Sequence, residues 1–248
     1  MEENKFKFPT EIVELPSKGL LYPEGHPLAS GKIEMKYMTA KEEDILTNQN
    51  YIKQGVVIDK LLQSLVVTKF DFDDLLIGDK NAIMVAARVL GYGKDYTFTY
   101  NGEEITVDLS ELPNIELDES TTIKGTNSFP YTLPHSGTNI TFKLLTGKDE
   151  KNIDKEIQGL KRINKNSSSD ISTRLKYIIT SVDGEDDQKT IRDFVDNYLL
   201  ARDSTALRSH IKLIQPDIKL TFIYKGPNGE EEVAVPMQVQ FFWPDARA

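Results

Sequence analysis

Residues 35–43 read Met-Lys-Tyr-Met-Thr-Ala-Lys-Glu-Glu, and residues 142–150 read Phe-Lys-Leu-Leu-Thr-Gly-Lys-Asp-Glu. Four of the nine positions are identical, Lys36/Lys143, Thr39/Thr146, Lys41/Lys148 and Glu43/Glu150, and most of the rest are conservative. Each stretch carries the same two local signals. Ile33, Met35 and Tyr37 alternate with polar residues, as do Ile140, Phe142 and Leu144, which is the period of a strand with one buried face. Thr39 with Glu42, and Thr146 with Asp149, then stand at capping-box spacing. There the hydroxyl can accept from the third helical N–H while the acid reaches back to the cap. Both stretches therefore predict a strand that runs directly into a helix.

The correspondence extends in both directions and in the same order. Leu15-Pro16-Ser17-Lys18-Gly19 faces Leu133-Pro134-His135-Ser136-Gly137. Asp79, Ala82 and Ile83 match Asp203, Ala206 and Leu207, and Thr97-Phe98-Thr99-Tyr100 falls on Thr221-Phe222-Ile223-Tyr224. Asn101-Gly102-Glu103-Glu104 recurs as Asn228-Gly229-Glu230-Glu231. Internal repetition of this kind decides the fold before any motif does. The expected fold class is α+β with an internal duplication. Each half would have a strand, two to three helices and a C-terminal β-hairpin.

The elements follow from local chemistry. Extended segments, Glu11–Leu15 and Tyr131–Leu133, lead into Pro/Gly turns. A second helix is expected over Val56–Val67 and over Ile171–Val182, and a third after Asp79 and Asp203, each read as an N-cap. Asn-Gly marks both hairpin tips, within Tyr96–Leu109 and Lys219–Met237. The second half carries an extra helix, Thr190–Leu200, whose end aligns with Asp74–Leu76. Asn164–Asp170 reads as a mobile loop, and Asp118–Ser128, rich in Thr, Ser, Gly and Asn, marks the join. The expected organisation is an N-terminal tail (1–11), a first repeat (12–120), a linker (121–129) and a second repeat (130–248).

Composition narrows the function classes. The chain has 248 residues, no Cys and a formal net charge of −9. Without Cys there is no disulfide framework, no Cys-based zinc site and no thiol nucleophile. The acidic balance argues against broad electrostatic binding to nucleic acid. No apolar run approaches the ~18 residues of a membrane span, and the opening Met-Glu-Glu-Asn-Lys-Phe-Lys-Phe has no apolar core of a secretion signal.

The sequence carries little recognisable reaction chemistry. No phosphate-binding loop is present, and Gly91-Tyr92-Gly93 follows a helix instead of a strand, so it reads as a helix end. His26, His135 and His210 stand at no metal spacing, and His210 shares a helix stripe with Leu207, Ile211 and Ile214, which suggests the edge of a core. The carboxylate runs Asp71–Asp74 and Asp183–Asp187 lack the pattern of a calcium loop. Paired carboxylates leave no short motif, so a hydrolase using two acids stays as a remote alternative. No catalytic, metal or cofactor-binding residue is assigned, and no small-molecule substrate is expected.

Two features exceed the needs of a core. The Pro/Gly-rich turn Leu15–Pro23 bears Leu20, Leu21 and Tyr22, either folded onto its own core or displayed for docking. Near the end, Phe241, Phe242 and Trp243 are consecutive and cannot all face one side of a strand. They divide between a core and a partner, where aromatic anchors dominate interfaces. These six residues are the partner-binding candidates.

Leu-Pro-Ser-Lys-Gly-Leu-Leu-Tyr-Pro at 15–23, followed by Met-Thr-Ala-Lys-Glu-Glu-Asp-Ile-Leu at 38–46, resembles the baseplate hub proteins of T-even-type contractile-tailed bacteriophages. Gly78-Asp79-Lys80, Gly91-Tyr92-Gly93 and the terminal Phe-Phe-Trp-Pro follow the same pattern, so the resemblance covers about residues 12 to 244. The opening motif is fairly specific, and the others are weak alone. The resemblance implies a virion component of the tail baseplate, assembled in the host cytoplasm, whose partners are other hub or tape-measure proteins. It does not separate a hub subunit from a transient assembly chaperone absent from the virion. In the family it resembles, many relatives carry Cys pairs near the hairpins. Here the same places hold Thr-Phe-Thr-Tyr and Thr-Phe-Ile-Tyr, so apolar pairs involving Phe98 and Tyr100 are expected to steady them.

Overall fold

In the computed structural model, which describes residues 9–119, 122–163, 169–226, 229–237 and 241–243, small antiparallel sheets alternate with helices, an α+β architecture. Strand β1 (Thr10–Glu14) pairs antiparallel with β2 (Lys32–Lys36), and the alternation of β2 puts Ile33 and Met35 inward. The 17-residue excursion between them folds tightly on itself. A Cβ on Gly19 (φ +77) would lie 2.5 Å from the Ala29 carbonyl oxygen, and one on Gly31 (φ +69) 2.5 Å from the Lys18 carbonyl carbon, so neither position admits a side chain.

Thr39 then opens α1 (Ala40–Leu46). The Glu42 carboxylate accepts from the Thr39 N–H (3.0 Å) and hydroxyl (2.6 Å), and from Lys36 and Ser64 at 2.8 Å each. Asn48 breaks the helix and caps α2 (Gln49–Gln54) with its own side chain. Next come α3 (Val57–Leu65), the long α4 (Ile77–Tyr92), and the hairpin of β3 (Asp95–Tyr100) with β4 (Glu103–Asp108), which turns at Asn101 (φ 49) and Gly102 (φ 83) as the Asn-Gly signal requires. A two-residue strand, β5 (Asn114–Ile115), follows.

In the C-terminal half, β6 (Phe129–Thr132), β7 (Asn139–Phe142) and β8 (Ile179–Val182) form a three-stranded antiparallel sheet in that order. Asp149 repeats the role of Glu42, accepting from the Thr146 N–H (3.0 Å) and from Lys143 (2.7 and 2.8 Å) at the start of α5 (Gly147–Ile163). Then come α6 (Asp170–Ile178), α7 (Gln188–Asn197) capped by Asp187, α8 (Ala201–Ile214), a short β9 (Asp217–Ile218), and the hairpin of β10 (Thr221–Gly226) with β11 (Gly229–Ala234).

Three expectations are corrected. Ile179–Val182 is strand, because these residues close the edge of the β6–β7 sheet, where a β-branched run fits the pleat better than a helix end. In the first half, Val66 likewise leaves the helix and bridges to Met35. Asp79 and Asp203 are not N-caps. Leu76 and Leu200 occupy the cap positions, and each Asp is the third helical residue, turned to another part of the chain. The loop at 164–168, Asn228 at the second tip, and Pro244 lie outside the described residues.

One contiguous apolar cluster runs through both halves, from Leu15 and Met35 through Ile83 and Phe98 to Phe142, Leu175, Leu207 and Phe241. The halves also share backbone bonds. β5 pairs with β9. Leu76 bridges Thr146, the Ile77 N–H donates to the Leu145 carbonyl (3.1 Å), and the Gly147 and Lys148 N–H groups donate to the Leu75 (2.8 Å) and Asp73 (2.9 Å) carbonyls. The Pro216 carbonyl oxygen crosses α4 so closely that a Cβ on Gly78 would lie 1.8 Å from it.

Candidate interaction surfaces

The Leu15–Pro23 turn is held from beneath by Asp79. Its carboxylate accepts from the Ser17 N–H (3.0 Å), the Ser17 hydroxyl (2.7 Å) and the Tyr22 hydroxyl (2.7 Å), and the Tyr22 oxygen in turn accepts from the Leu76 N–H (3.0 Å). Burial raises the Asp79 carboxyl above the usual range and outweighs the lowering by the Ser17 and Tyr22 bonds, with Asp217 adding to the rise. Burial, reinforced by Asp79, also drives the Tyr22 phenol upward and keeps it protonated. The C-terminal half uses the same device with different partners. Asp203 accepts from the His135 (2.8 Å) and Ser136 (3.0 Å) N–H groups, and those bonds overcome the opposing effect of burial and lower its carboxyl.

This geometry turns the first set of candidates inward. Leu21 and Tyr22 are buried at 3% and 5% exposure, and Leu20 is half-buried against the core. Tyr22 can be buried because its hydroxyl both donates and accepts, and its ring stacks on His26 at 5.2 Å. In this conformation Leu21 and Tyr22 are core residues and do not project outward.

The second set is also internal. Phe241 and Phe242 are buried, Phe241 packing edge-on against Tyr96 at 5.1 Å. Residues 241 and 242 sit in a tight helical turn, so the alternation that would push one aromatic outward in a strand does not apply. Trp243 is half-buried and its indole N–H donates to the Leu46 carbonyl (3.1 Å) at the end of α1. The hairpins pack through aromatic edges, with Phe98 and Tyr100 against Phe222 (5.4 and 6.0 Å) and Tyr100 against Tyr224 (5.0 Å). Phe98 and Tyr100 thus steady them by packing between the two ribbons.

A cavity of about 320 Å³ beside α3, α4 and α5 is lined by Asp59, Glu150 and Asp154. Lys80 pairs with Asp59 (2.6 Å), and Arg174 grips Glu150 through two bonds (2.6 and 2.9 Å), so two of the three carboxylates are engaged by cations. Among the described residues no three His, Asp or Glu side chains converge as metal ligands, and no helix is long and apolar enough to cross a membrane. His210 stacks on Tyr131 at 4.6 Å and burial lowers its pKa, as suits a histidine at a core edge.

Sequence reasoning missed a group of large apolar side chains, among several on the surface, that face outward together. Tyr198, Leu200 and Leu213 are 66%, 50% and 77% exposed, around α8. No sequence signal marked them, since the alignment of the halves sets Leu200 on Leu76, which is buried.

The buried polar groups of this α+β scaffold largely bond one another, and large apolar and charged side chains lie on its open surface. The chain belongs to the family described as T4 bacteriophage base plate protein, whose model matches residues 9–243. No curated protein and no solved structure matches it. Its role is therefore a structural or assembly role connected with the phage tail baseplate, among other baseplate proteins.

Proposed function

We propose that this protein is a baseplate hub subunit that acts in baseplate and tail assembly by non-covalent recognition of hub or tape-measure proteins. The family match from residue 9 to 243 is the observation that carries this reading. The motif at 15–23 supports the hub assignment within it, and the net charge of −9 favours partners with basic patches. We also read the chain as two copies of one module. The paired capping boxes at Thr39/Glu42 and Thr146/Asp149 support this, as do the paired aspartates that hold residue 17 and residues 135–136. Of the sequence candidates, Leu20 and Trp243 retain some accessible surface for a partner, while Leu21, Tyr22, Phe241 and Phe242 act by shaping the surface above them.

Mass spectrometry of purified virions tests the assignment. A hub subunit is present at a fixed low copy number. Its absence from virions, together with its presence in infected cells, would assign it to the transient assembly chaperones instead.

A further inference from the structure

In the first half, the lip where the chain enters α4 is covered by Leu145 and Thr146 of the second half and by the start of α5, through the Leu76–Thr146 bridge and the Ile77–Leu145 and Leu75–Gly147 bonds. The α4 stripe below it, Gly78, Asn81 and Val85, is buried or half-buried, with Pro216 over Gly78 and Asp217 bonded to Asn81. The module alignment places Leu199–Ala201 on Leu75–Ile77, and Arg202, Thr205 and Ser209 on that stripe. There the surface is open. Leu76 is 3% exposed but Leu200 is 50% exposed, and Arg202, Thr205 and Ser209 are all exposed. The backbone follows suit. Among the described residues nothing hydrogen-bonds to the Ala201 N–H or the Leu199 carbonyl, the groups aligned with those that pair in the first half. The contact between halves is therefore one-directional, and one lip is left without its strand.

Charge identifies what fits. The covered lip is acidic, with Asp73 ion-paired to Lys151 of α5. The exposed side of α8 behind the open lip is basic, while on its α7 side Asp196 is ion-paired with Lys176 and Asp193 accepts from the Asn197 side chain. Arg202, Arg208 and Lys212 lie on the exposed side of α8, none forms an ion pair among the described residues, and the helix's acid, Asp203, is buried. We propose that the α8 lip binds an extended acidic segment of a partner protein. The segment would pair its backbone with Leu199 and Ala201, set an apolar side chain against Tyr198 and Leu200, and place carboxylates on Arg202 and Arg208. A second copy docking as the second half docks on the first is disfavoured. In that docking Arg202 would stand where the internal contact requires Gly78. The alignment rests on the two-module reading, whereas the exposed lip and its charge do not.

Two peptides test this against the full-length chain. One is residues 144–152 as they stand, Leu-Leu-Thr-Gly-Lys-Asp-Glu-Lys-Asn. The other carries Lys148→Glu and Lys151→Glu. In amide NMR titrations the acidic peptide shifts residues 198–202 and slows hydrogen exchange at Ala201, and the parent peptide does not. The exposed double variant Arg202→Glu/Arg208→Glu weakens acidic-peptide binding by roughly tenfold. Unshifted amides at 198–202, or equal binding to the variant, overturns the proposal. So does concentration-dependent self-association abolished by the double variant, which gives the lip to a second copy. Virion copy number moves with none of these readouts, so the hub assignment and this site stand or fall separately.

Discussion

Glu42 shows how one buried carboxylate can organise a strand-to-helix junction. Burial alone would raise its pKa, but bonds from Lys36, Thr39 and Ser64 together hold it at about 2 against an ordinary value of 4.5. A lowered folded-state pKa means stability that is fully present above pH ~4.5 and is lost as the pH falls toward 2, on the order of 3 kcal/mol in all. Glu42→Gln is therefore expected to lower the urea-unfolding free energy at pH 7 by about 2 kcal/mol. The gap between variant and parent should narrow at pH 3, and urea titrations at the two pH values check both statements. The capping role was legible in the sequence because it spans three residues. The bonds from Lys36 and Ser64 were not, because they depend on where β2 and α3 come to lie. Asp79 makes the same point more strongly. Its helix-start position was readable, but its partner Ser17 is 62 residues away, so the local N-cap reading failed.

Among elements, α4 and α5 carry glycines with opposite duties. Gly78 admits the Pro216 carbonyl, which is backbone and cannot swing aside, while Gly159 in α5 has nothing within 4 Å of a Cβ. Gly78→Ala is expected to cost roughly 1–3 kcal/mol through overpacking, and Gly159→Ala to stabilise by roughly 0.5–1 kcal/mol through helix propensity and a less flexible unfolded chain. Thermal unfolding of the two variants should move in opposite directions. The starts of α1 and α5 and the β3–β4 hairpin were readable where a capping box or an Asn-Gly turn fixed them locally, whereas α2, capped by Asn48, was not. The helix-to-strand switch at Ile179 was not, since Leu175, Ile178 and Ile179 continue an apolar pattern that suits either state until β7 offers an edge. Four of the six candidate residues turn inward for a related reason. The stretch at 15–23 is unusual because of what it binds inside the molecule, and residues 241–243 escape strand alternation by turning.

For the molecule as a whole, the shared cluster, the β5–β9 pair and the Leu76–Thr146 bridge make the halves interdependent. Denaturation followed by far-UV circular dichroism and by fluorescence of the single Trp, which reports docking of Trp243 on α1, should give coincident transitions. Separate transitions would mean the halves melt independently. The alternation of elements and their order were readable from the chain. How the halves meet was not, because the Gly78–Pro216 crossing leaves no periodic trace. The Trp243–Leu46 bond has one more effect, on timing. Its partners are 197 residues apart, so at ~5–20 residues per second a ribosome needs roughly 10–40 s to deliver the second after the first. Throughout that interval the nascent α1 end lacks its indole partner, and Tyr96, once made, waits for Phe241.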